Sequence, residues 1–354
     1  MIDQEARLAR VLERHRDAVV VTPSAGRSAL IRRDELLAAG PDVAVVEDRV
    51  RRWSDRREDH GEVVRIRLRS AARIDVCDLA AGLTGLAAPN HVLHAQPLWW
   101  SGGATHPRPA APMPAPVADG ARPVDITVLD TGIARHPWYE SSDWYVPEPI
   151  DPAHDTAGHG TFVAGLLLQH APSARLRSLR VIADDGVGDE LDLVRALARV
   201  GGTRLVNLSA GCHTYDDRPS PVVARAVAAL DRRTVIVACA GNAAGDRPFW
   251  PAALKQVLAV AALAADGRAR ADFSNHGWWV DAAASGVDLR SCYPLVAPYD
   301  GYATWSGTSF ATPIVTAAIA ARSARTGASP QEAAVSVLAE ADVTLPGLGV
   351  LIRN

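Results

Sequence analysis

The stretch VDITVLDTGI, residues 124–133, alternates apolar side chains and ends in Asp130-Thr131-Gly132. A carboxylate held at a strand end by such a turn has three uses. It can share a proton with a second carboxylate in a dyad, it can orient a histidine, or it can only shape the turn. A dyad within one chain needs a second Asp-Thr-Gly or Asp-Ser-Gly. The chain holds none, and neither SSD at 141–143 nor FSN at 273–275 substitutes, so only a homodimer could supply one.

Three further stretches carry groups that can work with such a carboxylate. In DTAGHGTFVAG, residues 155–165, His159 stands between two glycines where an apolar helix begins. A neutral imidazole there can accept a hydroxyl proton on one nitrogen while the other donates to a carboxylate. In WSGTSFATPIVTAAIAA, residues 305–321, Ser309 opens a long helix of small residues, with Pro313 expected in or near its first turn. Free backbone N–H groups and the positive end of the helix dipole suit an oxyanion formed by attack of that hydroxyl. The stretch is not the G-x-S-x-G elbow of α/β-hydrolases, because Ala311 replaces the last glycine. In VIVACAGN, residues 235–242, Asn242 follows a strand and can offer its side-chain amide as a second oxyanion donor. Taken singly, each has an ordinary structural reading: a turn Asp, a capping His, an N-cap Ser, a turn Asn.

These groups need elements to position them. From residue 123 onward, apolar strands alternate with amphipathic helices. DITVLD, ARLRSLRVI, TRLVNLSAG, TVIVACAGN and VLAVAALAA are the strands; GHGTFVAGLLLQH, GDELDLVRALARV, SPVVARAVAALDRR and SFATPIVTAAIAARSAR are the helices. This pattern predicts a mostly parallel sheet covered on both faces, with ligands bound beyond the carboxyl ends of its strands. Asp130, Ser209 and Asn242 all follow strands in that way.

Residues 101–122, rich in Pro, Gly and Ala, read as an extended, semi-rigid linker. They separate residues 1–100 from residues 123–354. The first region reads as a small α+β unit, with a helix over 6–16, strands in DAVVVTP and GEVVRIRLR, a helix in ARIDVCDLAAGLTGL and a final strand in NHVLHAQPLWW. RVRRWSDRREDHGE is expected to be a solvated helix face or loop.

Composition narrows the function classes. The chain has 354 residues, 48 % hydrophobic and 22 % charged, as expected of a core-forming protein. A net charge of -3 gives no case for a nucleic-acid or anionic-membrane partner. The charged N-terminus lacks the pattern of a signal peptide, and no apolar run is long enough for a membrane span, so a cytoplasmic protein is expected. Cys77, Cys212, Cys239 and Cys292 are far apart, which predicts four reduced, packed thiols rather than a zinc site or disulfide framework. Oligomeric state is left open.

The order Asp130, His159, Asn242, Ser309, each in its own local pattern, resembles that of the subtilisin-like serine proteases. VLDTGI, GHGTFVAG, NLSAG, CAGN and GTSFATP carry the resemblance, which covers about residues 123–340. It implies a three-layer α/β domain and a serine endopeptidase acting on peptides or proteins through an acyl-enzyme, without a cofactor. A silent peptide-binding protein on the same fold is the alternative. By resemblance Asp130 is the orienting acid, His159 the general base, Ser309 the nucleophile and Asn242 the oxyanion donor. Ser209, Ala210 and Gly211 match one substrate-binding edge; Gly186, Val187 and Gly188 match the opposite one. GDRPFWP, residues 245–251, is expected near the first specificity pocket. Phe162 stands where the family usually has a second histidine. The family's calcium-binding insertion after the catalytic His has no counterpart, so no metal is expected. Residues 1–100 fit either a prodomain or a permanent accessory domain.

Overall fold

The computed structural model describes residues 4–23, 27–72, 74–95 and 106–353. The N-terminal region runs α1 (Gln4–Arg14), β1 (Ala18–Val21), β2 (Ala29–Ala39), α2 (Val43–Val50), β3 (Ser54–His60), β4 (Val63–Leu68), α3 (Val76–Gly82) and β5 (Ala87–His94). Its antiparallel strands close over a small core of Ile31, Leu36, Val46, Val50, Val64, Ile66 and Leu83. The α1, β1, β4 and α3 expectations are met, and the expected final strand is β5 as far as His94, with residues 96–100 outside the described residues. RVRRWSDRREDHGE differs in part: its middle half is the edge strand β3, flanked by the end of α2 and by turns. Its charges pair across strands, Arg65 and Arg67 both reaching Glu58. A charged edge of that kind carries no apolar alternation for a sequence reading to find, and it deters further pairing.

After the two-residue strand β6 (Arg108–Pro109), the second region begins with β7 (Asp125–Asp130) and α4 (His159–His170). It continues through β8 (Arg175–Arg180), β9 (Val187–Asp189), α5 (Glu190–Leu197), β10 (Leu205–Leu208), α6 (Pro221–Ala228), β11 (Val235–Cys239) and β12 (Val257–Leu263). β13 (Ala282–Ser285), β14 (Leu289–Cys292), β15 (Tyr302–Trp305), α7 (Thr308–Thr326), α8 (Pro330–Ala339), β16 (Thr344–Leu345) and β17 (Gly349–Leu351) complete it. The main sheet has the order β16-β17-β13-β12-β11-β10-β7-β8 and is parallel except at β16. One apolar layer packs its face under α5 and α6, and the other packs the opposite face under α4, α7 and α8. This is the expected three-layer, mostly parallel architecture. β7, β10 and β11 are almost wholly buried, which is why they read as continuous apolar runs.

The stretch read as a linker is extended where it is described, and it lies docked on the surface. Arg108 and Pro109 pair with Thr304 and Ala303, and Arg108 meets Asp288 at 2.5 Å. All four cysteines are free and buried, as expected. Among the described residues, no helix is long and apolar enough to cross a membrane.

Candidate active site

β7 delivers Asp130 into the interior, where it is fully buried. Its Oδ1 accepts from the Thr131 N–H at 2.7 Å and from His159 Nδ1 at 2.7 Å. The turn is fastened to the start of α4: the Thr131 hydroxyl donates to the Ala157 carbonyl at 3.2 Å and accepts from the Gly160 N–H at 3.0 Å. Gly132 sits at φ +107°, which disfavours any other residue. A Cβ on Gly160 would lie 2.3 Å from the Gly132 carbonyl oxygen. The glycines of both motifs are therefore packing requirements of one joint. Asp130 meets a histidine inside its own chain, which removes the dyad reading and, because it is buried, the homodimer version as well.

His159 is the first residue of α4. With Nδ1–H donating to Asp130, Nε2 carries the lone pair, and it has no hydrogen-bond partner among the described residues. The ring lies against Trp305 and Phe310, centroids 5.4 and 5.1 Å away. Phe162, one turn on, joins the same cluster at 4.6 Å from Phe310. A phenyl ring at this position is thus apolar packing beneath the imidazole.

α7 presents Ser309 in its first turn, beside Phe310. The expected bond from Ser309 to His159 is not the one formed. The Ser309 hydroxyl donates to the Ser209 carbonyl at 3.1 Å. The Ser209 carbonyl and the unpartnered His159 Nε2 are both acceptors for such a hydroxyl. Pro313 lies inside α7 at the start of its second turn, near the first as expected. Proline has no N–H to give the Ser309 carbonyl four residues earlier. The Ser209 hydroxyl takes that place, donating to the Ser309 carbonyl at 2.8 Å. Asn207 donates to Ser209 Oγ and accepts from Thr316, so β10 is stitched to α7 on both sides of the serine.

Asn242 follows β11. Thr308 donates to its Oδ1 twice, from N–H at 2.9 Å and from Oγ1 at 3.0 Å. That fixes the amide orientation and leaves Nδ2, the donor, beside Gly307 at the start of α7, 3.7 Å from where a Cβ on that glycine would lie. Asn275 braces the loop: its Oδ1 accepts from Ala243 and Gly245, and its Nδ2 donates to the Ala240 carbonyl. FSN, dismissed as a carboxylate site, is this brace.

The two candidate edges face each other with a strand between them. β5 pairs antiparallel with β9, setting Leu93 opposite Gly188 and His94 opposite Val187. The His94 N–H donates to the Gly211 carbonyl at 3.2 Å, and the Ala95 N–H donates to the Gly186 carbonyl at 3.0 Å. Ser209 to Gly211 and Gly186 to Gly188 therefore both offer main-chain groups to an extended chain, and residues 92–95 hold that position. Side-chain hydrogen bonds hold the same region, with Arg32 at 3.0 Å from Asp189 and His15 at 2.6 Å from Asp185. GDRPFWP lies at this cleft too, with Phe249 packed on Gly211 and Gly241. The docking of this strand between the two edges and the Thr308 and Asn275 braces were not found from sequence. Each depends on partners about 30 to 120 residues away.

One buried group beside the cleft has a pH consequence. His213 donates from Nδ1 to the Pro248 carbonyl, and burial, with the nearby Arg247 charge, pushes its pKa down to about 3. The unfolded chain binds a proton near the ordinary value of about 6.5. Between those values the unfolded state holds more protons, so stability falls as pH drops from about 6.5 toward 3, by up to about 1.4 kcal/mol per pH unit. Thermal melts from pH 7 to 4 should show a shallower acid decline for His213→Gln than for wild type.

Residues 122–345 match the model of the subtilase family. Subtilisin BL of Lederbergia lenta is 35 % identical over 210 residues, covering 56 % of this chain and 75 % of that one. Among solved structures, a serine-to-alanine mutant of the protease domain of PatA superposes with a TM-score of 0.59 at 28 % identity, covering 65 % of this chain and 92 % of that one. The prenylagaramide maturation protease PagA gives 0.56 at 28 % identity, covering 65 % and 90 %.

Proposed function

The chain belongs to the subtilase family of serine endopeptidases, and from that premise we propose how its own residues divide the work. Ser309 is the nucleophile. Its hydroxyl turns from the Ser209 carbonyl to His159 Nε2, which takes the proton as the oxygen attacks a peptide carbonyl. Asp130 holds the ring in the Nδ1–H tautomer and stabilises the imidazolium. Asn242 Nδ2 and the Ser309 N–H, in the first turn of α7, receive the oxyanion. His159 then protonates the leaving amine, and water hydrolyses the acyl-enzyme by the same relay.

The observation that carries this reading is the 2.7 Å bond from His159 Nδ1 to Asp130, with Nε2 left without a hydrogen-bond partner among the described residues. A fluorophosphonate should label wild type on Ser309 and leave Ser309→Ala unlabelled. Labelling that ignores the substitution, or none in either protein, would refute the assignment. Asn242→Ala should lower kcat by about 10²–10³ with little change in KM, a magnitude carried over from subtilisin itself. A loss confined to KM would remove Asn242 from the oxyanion site.

The N-terminal region acts on this reading as a restraint. Extended peptides are held by main-chain bonds to sheet edges, and residues 92–95 already make such bonds to Gly186, Gly188 and Gly211. Peptide or protein substrates must displace that strand to reach Ser309.

A further inference from the structure

We propose that Phe249 closes the pocket for the side chain preceding the scissile bond, so that the enzyme cleaves after glycine, alanine or serine and rejects large residues. The inference rests on the endopeptidase reading above and adds its selectivity.

The register comes from β5. His94 donates to Gly211 and Ala95 to Gly186, so successive amides turn to opposite edges. A substrate held in this register turns its next amide back to the 209–211 edge. The acceptor waiting there is the Ser209 carbonyl, which the Ser309 hydroxyl now occupies at 3.1 Å. That residue is the one whose carbonyl carbon comes to Ser309 and whose oxygen comes to Asn242. Alternation puts its side chain on the same face as that of His94. The His94 ring faces Phe249 edge-on, centroids 6.0 Å apart.

The walls on that face end in glycines, Gly211 after β10 and Gly241 after β11. The space their missing side chains leave is filled. A Cβ on Gly211 would lie 2.5 Å from Phe249 Cε1, and one on Gly241 would lie 2.9 Å from Phe249 Cγ. The ring is wedged between the two strand ends and is only 3 % exposed. Its backbone is fixed as well. Trp250 and Cys212 exchange main-chain bonds at 2.8 and 2.9 Å, and the Phe249 carbonyl accepts from Ala253 at 2.9 Å. His213 packs edge-on against the ring at 5.2 Å. A large incoming side chain would have to expel a phenyl ring held on all these sides, whereas a methyl group or hydrogen would not.

The test compares peptidyl phosphonate esters that differ only in the residue mimicking this position, alanine or phenylalanine, with a plain alkyl fluorophosphonate as reference. Ser309 oxygen forms the P–O bond as the ester's phenoxide leaves with the proton taken by His159. All rates are measured on the full chain, so the fraction of molecules with an open cleft cancels in the ratio. Wild type should react about 50-fold faster with the alanine probe than with the phenylalanine probe. Phe249→Ala should bring the ratio to about 1 or invert it, each rate being taken relative to the same protein's own rate with the reference probe. Equal rates in wild type, or an unaltered ratio in a folded Phe249→Ala, would overturn the proposal. If Phe249→Ala fails to fold, Phe249→Leu with a leucine probe asks the same question, and the wild-type ratio decides on its own. No reaction of wild type with the reference probe would instead sink the endopeptidase reading, and this inference with it.

Discussion

Replacing Ser309 by alanine is expected to lower kcat/KM of the full chain toward a peptide by about 10⁶-fold, and adding His159→Ala should lower it almost no further; the size is that known for subtilisin itself. The non-additivity follows from the geometry. Among the described residues His159 Nε2 has no hydrogen-bond partner, so on the proposed mechanism the imidazole without Ser309 has no hydroxyl to deprotonate. Without His159, the Ser309 hydroxyl stays on the Ser209 carbonyl, an acceptor that takes no proton. Asp130→Asn should cost less, about 10⁴-fold, because an amide can still touch the ring while favouring the wrong tautomer. Both residues are buried, but Ser309→Ala removes only one hydroxyl, so its melting temperature should stay within a few degrees of wild type. Hydrolysis of a quenched peptide over the single and double substitutions checks this. A double variant a further hundredfold below either single one would mean that the two groups act independently.

The candidate residues Asp130 and His159 were legible because backbone constraints surround each of them. Asp130 needs a turn that brings Gly132 to φ +107°. His159 needs glycine on both sides, since a Cβ on Gly158 would strike the Tyr293 ring at 2.3 Å and one on Gly160 the Gly132 carbonyl. Constraints of that kind leave glycines at set positions, and a reader of the sequence sees them. The parallel sheet was legible for a related reason, because strands buried on both faces become apolar runs. What escaped notice depends on partners distant in the chain. Nothing local marks Ser209 as the residue that replaces the N–H missing at Pro313, although the two lie in contact through the Ser309 carbonyl. Nothing in FSN marks Asn275 as the brace of the Asn242 loop. β3 was missed because its pairing is held by charge rather than by alternating apolar residues. The strand in the cleft was expected as a strand; its neighbours were not, because a main-chain edge recognises no side chain.

That strand is the basis of the second large effect. Leu93→Asp should raise the fluorophosphonate labelling rate of Ser309 by about 100-fold. Leu93 is fully buried where β5 crosses β9, in the same apolar layer as Val181, Ile182 and Leu191. Removing its side chain forfeits burial, and a carboxylate in its place must be desolvated without a partner, a combined cost of at least about 3 kcal/mol. A molecule whose cleft is open only a small fraction of the time reacts at a rate set by that fraction. About 2.7 kcal/mol taken from the closed state multiplies the fraction by about 100. The gain ends once the cleft is mostly open, so a smaller rise with labelling already fast in wild type would mean weak restraint. Arg32→Ala removes the partner of Asp189 at the far end of the same contact, and it should also raise the rate, by a smaller factor because Asp189 remains satisfied as the cap of α5. Leu93→Ala serves if the aspartate variant does not fold. Ser309→Ala on each background must abolish labelling, which separates an opened site from a newly exposed reactive surface. Unchanged rates in folded variants of both Leu93 and Arg32 would show that residues 92–95 do not stand between substrate and serine.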